Sequence, residues 1–407
     1  MFLASRVKRP TTYRPVWSLK ASSSSSRAPI LNPHAMFMTS SVLLSGFLFT
    51  QTVFATEDLT DPLSRSANNE KVFKLSRKGS ACDRSEELLI LSGSAHPLLA
   101  ESIAAHLGTF IGNVQLGRFA DGEVSLRILD SCRGKDVYII QPTSTPVNEN
   151  LMELFLMIST CRRASAKRIT AVIPYYGYAR QDRKMNSRVP ISAADVAKLL
   201  EAMGVDRVVS VDLHSGQIQG FFPPRVPVDN LEAQIVGLDF FQHKELEKPI
   251  VISPDAGGVY RARKFQEGLI QRGHKEAGLA MLIKQRSGPN EIEKMDLVGT
   301  VEGSDVIIVD DMIDTAGTLV QAAVELRKKG AKKVYAYATH GLFNGPAIDR
   351  IANSVLEKVV VTNSITVAEK VGKCKKVQVL DVSVLLADAI RRIHLKESLV
   401  MLFGEAA

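Results

Sequence analysis

Short, unbroken apolar runs alternate with amphipathic stretches from about residue 86 to residue 400. Runs such as ELLILS (Glu87–Ser92), DVYIIQ (Asp136–Gln141) and DVIIVD (Asp305–Asp310) predict buried strands, because strands covered on both faces carry apolar residues without alternation. The stretches after them have helical periodicity, at 97–107 with proline in the first turn and at 148–163. This alternation is typical of parallel α/β sheets.

Further strands are predicted at 168–175, 207–212, 249–253, 278–283, 333–339 and 358–362. A proline-rich segment, 222–229, interrupts the series, so we predict two α/β domains at 86–230 and 231–400. Open parallel sheets bind ligands beyond the carboxyl ends of their strands. The residues that follow each predicted strand are therefore the candidates for function.

The first 56 residues differ in composition from the rest of the chain. They hold six of the eight net positive charges, no Asp or Glu, and a run of serines at 22–26. An acid-free segment rich in Arg and Ser predicts a removed organellar targeting peptide, plastid or mitochondrial, followed by a linker at 57–85. Its apolar part, Met36–Ala55, fits an internal signal or a marginal membrane anchor; a disordered extension on a cytoplasmic protein is the alternative. The remaining chain is nearly neutral, which argues against nucleic-acid binding.

The four cysteines form no C-x-x-C pair, so neither a zinc site nor a disulfide framework is indicated.

The most informative motif is VIIVDDMIDTAGT, residues 306–318. An apolar strand leads into Asp310 and Asp311 and then into a loop of small residues before a helix. Such a loop offers backbone N–H groups and a favourable dipole to a phosphate. Two adjacent carboxylates beside it suit ribose hydroxyls or a cation, so we predict a sugar-phosphate site. A strand followed by an ordinary capped helix is the alternative.

Other polar motifs follow the predicted strands, and each alone has an ordinary structural interpretation. RFADGE at 118–123 is a turn, and the basic run at 178–184 is a solvated loop. His214 at a strand end is more often a structural hydrogen-bonding group than a ligand. The cations at 284–286 can lie on a basic strand edge.

Taken in order, these motifs resemble those of the ribose-phosphate diphosphokinase family, over about residues 87–400. The resemblance implies two phosphoribosyltransferase-like domains, each a mostly parallel sheet flanked by helices. It implies transfer of the β,γ-diphosphate of ATP to ribose 5-phosphate, a step that supplies nucleotide biosynthesis.

The resemblance also implies roles for individual residues. ATP would be bound by Phe119, Asp121, Glu123, Arg180, Gln181, Asp182, Lys184 and His214. Ribose 5-phosphate would be bound by Asp255, Asp310, Asp311, Asp314, Thr315, Ala316, Gly317 and Thr318. Mg²⁺ would be held by Asp212, His214, Asp229 and Asp255. Lys284, Arg286 and His214 would be catalytic, the two cations by stabilising charge on the group in transfer.

Assembly and regulation are implied in the same way. Family members form hexamers of dimers in which the 118–123 loop reaches a neighbouring subunit's ATP, with Phe119 stacked on adenine. The segment 142–150 resembles the activator loop of phosphate-stimulated members, so inorganic phosphate is the expected activator.

Two departures from the family pattern affect these expectations. After Phe222 the chain reads PPRVPVD where the family has an Asp-Ile-Pro-Val-Asp sequence, and Met185 replaces an Asp. A non-catalytic regulatory subunit and a phosphoribosyltransferase that consumes the diphosphate remain the alternatives.

Overall fold

The computed structural model describes residues 87–285, 294–372 and 374–403. The predicted leader and linker lie outside these ranges. Within them, no helix is both long enough and apolar enough to cross a bilayer.

The first half contributes one parallel sheet and a hairpin. Its elements are β1 (Leu88–Ser92), α1 (Pro97–Leu107), β2 (Val114–Arg118), β3 (Val124–Ile128), β4 (Asp136–Ile140), α2 (Val147–Arg163), β5 (Arg168–Ile173), α3 (Ser192–Met203), β6 (Arg207–Val211) and β7 (Val228–Leu231). The sheet has the order β1-β4-β5-β6-β7 with every pair parallel, while β2 and β3 pair antiparallel.

The second half contributes a larger sheet. Its elements are α4 (Gln234–Phe241), β8 (Ile250–Ser253), α5 (Val259–Gln271), β9 (Gly278–Gln285), β10 (Lys294–Val298), β11 (Asp305–Ile313), α6 (Gly317–Lys328), β12 (Lys333–Gly341), α7 (Ala347–Ala352), β13 (Lys358–Thr362), α8 (Ala368–Val371), β14 (Val377–Leu380) and α9 (Ser383–Leu395). The order is β10-β9-β8-β11-β12-β13-β14, and only the β9–β10 pair among these strands is antiparallel. The predicted fold class is confirmed.

Both faces of each sheet are covered, which is why the strands read as unbroken apolar runs. In β1, Leu89 and Leu91 pack with α2 and α3, whereas Ile90 packs with α1 on the opposite face. In β11, Ile308 packs with α6 and Ile307 packs with α4 and α5. Burial of each such side chain stabilises the fold by about 1.5–3 kcal/mol.

The last helix returns to the first sheet. Apolar residues of α9, among them Leu386 and Ile390, join the cluster formed by α1 and β1, and Ser102 of α1 bonds to Ser383. This contact was not predicted, because the apolar face of a distant sheet leaves no signal in the local sequence of the helix. The domain boundary at 230/231 stays a prediction; β7 extends the first sheet across it.

Candidate functional site

The carboxyl ends of β6 and β12 meet where the two halves of the chain are in contact. The Thr339 hydroxyl donates to Asp212, and one ring nitrogen of His340 lies 3.0 Å from the Val211 carbonyl. Burial lowers the pKa of His340 to about 4, so this imidazole is neutral and its Nε2–H donates to that carbonyl. Parallel strand ends are where α/β sheets bind ligands. The contact therefore places the polar residues of both halves side by side.

A chain of charged groups crosses this contact. Nδ1 of His214, just after β6, lies 2.7 Å from Oδ2 of Asp311 in β11. Arg261 of α5 lies 3.7 Å from the other oxygen of Asp311. The hydrogen bond with Asp311 raises the pKa of His214. Burial would raise the pKa of Asp311, but the bond from His214 and the charge of Arg261 hold it well below its usual range.

The two adjacent carboxylates consequently differ. Asp310 is half-buried next to an ionised Asp311, and removal of its carboxyl from solvent followed by that charge raises the pKa of Asp310. One Asp310 oxygen accepts from the Asp311 backbone N–H at 2.9 Å. Asp311 is engaged by His214 and Arg261, so Asp310 is the carboxylate with capacity left for a sugar hydroxyl.

The loop between β11 and α6 has the geometry of an anion site. Ala316 adopts a left-handed conformation, φ 58°, and caps α6 without a side-chain hydrogen bond. The first N–H groups of a helix have no partner within the helix, so here they can serve a phosphate. Arg350 donates to the Thr315 carbonyl at 2.9 Å and holds the loop from outside.

Asp314 links the loop to the other half of the chain. Arg180 Nη1 lies 2.7 Å from one of its oxygens, and Asn344 Nδ2 donates to the other at 2.8 Å. Burial would raise the pKa of Asp314, but these two bonds hold it low. The proposed ATP segment and the proposed ribose-phosphate loop are thereby in contact through one ion pair.

The four residues predicted for the metal are not equivalent. Asp212 accepts from the Ala233 N–H and the Thr339 hydroxyl, so it supports the His214 turn. Asp255 accepts from the Gly258 N–H in the turn after β8, beside β11. Asp229 does not join His214: it pairs with Arg207 at the amino end of β6, opposite the site. The strand direction of β7, which the sequence did not reveal, places it there.

Most of the other predicted ATP residues occupy exposed positions, whereas Asp182 is half-buried. Phe119, Asp121 and Glu123 form the tip of the β2–β3 hairpin, with Phe119 58% exposed. His214, Asp311 and Arg261 form what we call the His214 cluster. Among the described residues, no hydrogen bond or ion pair joins this tip to the His214 cluster. Gln181 accepts from the Ser192 hydroxyl, while Asp182 and Lys184 follow in the same loop.

The predicted catalytic cations are described only in part. Lys284 lies in β9 opposite Met295, but its side chain is outside the described atoms. Arg286 lies outside the described residues.

The two departures from the family pattern lie on the surface. Residues 223–226 form a turn in which the Val226 N–H donates to the Pro223 carbonyl, and Arg225 pairs with Glu201 of α3. Met185 is 73% exposed. In the segment resembling an activator loop, Thr143 and Asn150 are buried and bonded within the fold.

Sequence reasoning missed Arg261, Asn344, Arg350 and His340. Each lies in an otherwise ordinary helix, loop or strand, and its role depends on contacts between distant segments. Of these four, only Arg261 could have been found from the sequence. It lies six residues after Asp255, on the helix that follows this candidate loop.

The two mostly parallel sheets, with an acidic pair ahead of a small-residue loop that opens a helix, define a protein of the phosphoribosyltransferase-like α/β class. Residues 88–204 match the N-terminal domain of ribose phosphate pyrophosphokinase, and residues 275–404 match the phosphoribosyl synthetase-associated domain. The chain belongs to the ribose-phosphate pyrophosphokinase family and is a diphosphotransferase.

Individual relatives agree with this assignment. Ribose-phosphate pyrophosphokinases of Helicobacter pylori and Vibrio parahaemolyticus are each 50% identical, over 77% and 78% of this chain and 95% and 99% of their own. The crystal structure of phosphoribosylpyrophosphate synthetase from Mycobacterium smegmatis superposes with a TM-score of 0.70 and 40% identity, over 76% of this chain and 99% of that one. These names favour the enzyme over a regulatory subunit.

Proposed function

We propose that this chain transfers the β,γ-diphosphate of ATP to the anomeric oxygen of ribose 5-phosphate and releases AMP. The observation that carries the proposal is the 2.7 Å ion pair between Arg180 and Asp314. It connects a basic segment suited to a triphosphate with a loop suited to a sugar phosphate, as transfer between two bound substrates requires.

On the ribose side, the N–H groups at the start of α6 and the hydroxyls of Thr315 and Thr318 bind the 5-phosphate. Asp310 accepts hydrogen bonds from the ribose hydroxyls. Asp311, ionised and fixed by His214 and Arg261, holds its neighbour in position.

On the ATP side, Arg180, Gln181, Asp182 and Lys184 bind the nucleotide after β5, with the arginine able to grip phosphate oxygens in a forked geometry. Phe119, Asp121 and Glu123 bind the adenine of an ATP held by a neighbouring subunit. The functional unit is thus a homo-oligomer.

Mg²⁺ fits beside His214. The Nδ1 atom of His214 is hydrogen-bonded to the Asp311 carboxylate, the arrangement that orients the other ring nitrogen of metal-ligating histidines. Mg²⁺ also accepts one or two protein ligands when substrate phosphates and waters supply the rest. His214 and Asp255 would hold the ion, which would neutralise phosphate charge; Asp212 would support His214.

In the transfer step, the anomeric hydroxyl attacks the β-phosphorus while the bond to the α-phosphate oxygen breaks. The reaction needs alignment and charge neutralisation more than a covalent intermediate. Lys284 and Arg286 provide the positive charge for the group in transfer. Inorganic phosphate as activator and an organellar location set by the leader belong to the same proposal.

The test is to incubate the purified chain with Mg²⁺, phosphate, ATP and ribose 5-phosphate, and to quantify AMP and phosphoribosyl diphosphate. We expect equal amounts of both, dependent on both substrates. A regulatory subunit would form neither alone, and a phosphoribosyltransferase would form no AMP from ATP.

Lys284→Ala should lower kcat by about 10²–10³-fold with little change in KM, since it removes charge used in the transition state. Lys275→Ala, an exposed lysine on the turn before β9, is the control and should keep normal turnover. Near-normal kcat in Lys284→Ala would remove this lysine from the proposal.

A further inference from the structure

A fully buried carboxylate lies in the first half, apart from the His214 cluster. Glu153 of α2 has no exposed side-chain surface. It accepts from the Ser94 N–H at 2.6 Å, the Ser94 hydroxyl at 2.9 Å and the Gln141 amide at 2.8 Å. A buried carboxylate is costly unless it is both hydrogen-bonded and paired with a cation. The three neutral donors satisfy its oxygens but leave its charge without a counterion.

The nearby cation is Arg118. Its Nη1 lies 3.5 Å from Oε2 of Glu153, whereas its contact with the exposed Glu149 is longer, at 4.0 Å. Arg118 is the last residue of β2 and pairs with Val124, so it lies at the neck of the hairpin.

The hairpin is packed on one side of that neck and free of packing on the other. Leu126 and Ile128 of β3 pack against the apolar cluster under α2, while residues 119–123 of the tip are all exposed. Arg118 is therefore a charged anchor between the packed base and the exposed tip.

The support beneath Glu153 is tightly fitted. A Cβ on Gly93 would lie 2.3 Å from the Gln141 amide oxygen, so this loop and side chain are in close contact. Gln141 also donates to the Asn150 carbonyl at 3.2 Å. Glu153 is thus held by residues that follow the carboxyl ends of β1 and β4.

We propose that Glu153 is a positioning residue for nucleotide binding. Through Arg118 it sets the direction of the hairpin tip that carries Phe119, Asp121 and Glu123, without itself touching substrate. The inference rests on the proposed function, in which this tip contacts ATP.

Glu153→Gln separates this role from a purely structural one. The amide oxygen can keep the bonds from the Ser94 N–H and from Gln141, and the Ser94 hydroxyl can reverse and accept from the new NH₂. A guanidinium has no acceptor, so only the Arg118 contact is lost. Loss of a hydrogen bond to a charged group corresponds to about a tenfold change.

We expect Glu153→Gln to raise KM for ATP about tenfold while KM for ribose 5-phosphate and kcat change less than about twofold. Arg118→Gln should raise KM for ATP by a similar factor. In the double variant, KM for ATP should rise only as much as in the more affected single variant, and not by the product of the two single increases. Arg127→Gln is the matched comparison: it removes an exposed positive charge from β3 of the same hairpin and should raise KM for ATP less than about twofold.

The outcomes are distinct. A lower melting temperature in Glu153→Gln with unchanged KM for ATP would make its role structural and overturn the inference. Independent, multiplicative effects in the double variant would also overturn it. A wild-type chain that forms no AMP would instead refute the proposed function.

Discussion

At the scale of single residues, the site depends on one arginine that no sequence motif identified. Arg261 is the cation facing Asp311, and its charge also acts on Asp310, Asp212 and His214. Carboxylates this buried need a compensating charge.

Arg261→Gln should lower kcat/KM for ribose 5-phosphate by about 10–100-fold, because it removes a partner of the buried Asp311 and so disturbs His214. Arg263→Gln on the same helix loses only an exposed pair with Glu267 and should change the free energy of unfolding by less than about 0.5 kcal/mol. Steady-state kinetics and thermal unfolding of both variants measure this. Equal kinetics for the two would show that Arg261 serves only packing.

The sequence predicted those candidate residues that have a recognisable local context. Asp310, Asp311 and the 314–318 loop follow an unbroken apolar strand. The strand, the acidic pair and the loop all lie within thirteen consecutive residues. Arg261, His340 and Asn344 could not be found in this way, because their partners are distant in sequence. Asp229 illustrates the converse: a plausible acid near a motif proves to face the opposite end of its strand.

At the scale of elements, the attachment of α9 to the first sheet depends on a buried ionic cluster. Asp136 at the start of β4 binds Arg168 of β5, and its Oδ2 lies 2.8 Å from Nδ1 of His394 on α9. Burial would raise the pKa of Asp136, but the bonds from His394 and Arg168 hold it below its ordinary value.

This depressed pKa predicts an acid-sensitive contribution to stability. The contribution is fully present above the unfolded Asp pKa of about 3.9 and is lost as pH falls through the lower folded-state value. Asp136→Asn should therefore destabilise the chain by about 3 kcal/mol at neutral pH and by progressively less below about pH 4. Denaturant unfolding at several pH values tests it. Glu87→Gln, which removes an exposed pair with Lys167 at the same end of the sheet, is the control. A pH-independent difference would contradict the linkage.

The strands of the central layers were predictable because burial on both faces makes them apolar throughout. The hairpin, β7, β10 and β14 were not predicted: the hairpin strands are half exposed, β7 is four residues long after a proline-rich turn, and β10 and β14 are the edge strands of the second sheet. Their assignment needed a partner strand, which periodicity alone does not reveal.

At the scale of the whole molecule, the two parts of the proposed ATP site differ in their surroundings. The hairpin tip is exposed and has no bond to the His214 cluster within the described residues, whereas Arg180 and Asp314 are paired. The proposal that the tip serves a neighbouring subunit accounts for its exposure.

Subunit mixing tests this arrangement. Phe119→Ala impairs only the tip and Lys284→Ala only the proposed catalytic cation. Each variant alone should be weakly active at ATP concentrations below the wild-type KM.

If the tip acts in trans, co-expression in equal amounts followed by random assembly gives about a quarter of sites an intact tip and an intact lysine from different subunits. Activity should then rise to about a quarter of wild type. If the tip acts within its own chain, every chain still carries one defect and mixing restores nothing. Mixing the purified variants after assembly, without subunit exchange, is the control and should show only the sum of their separate activities.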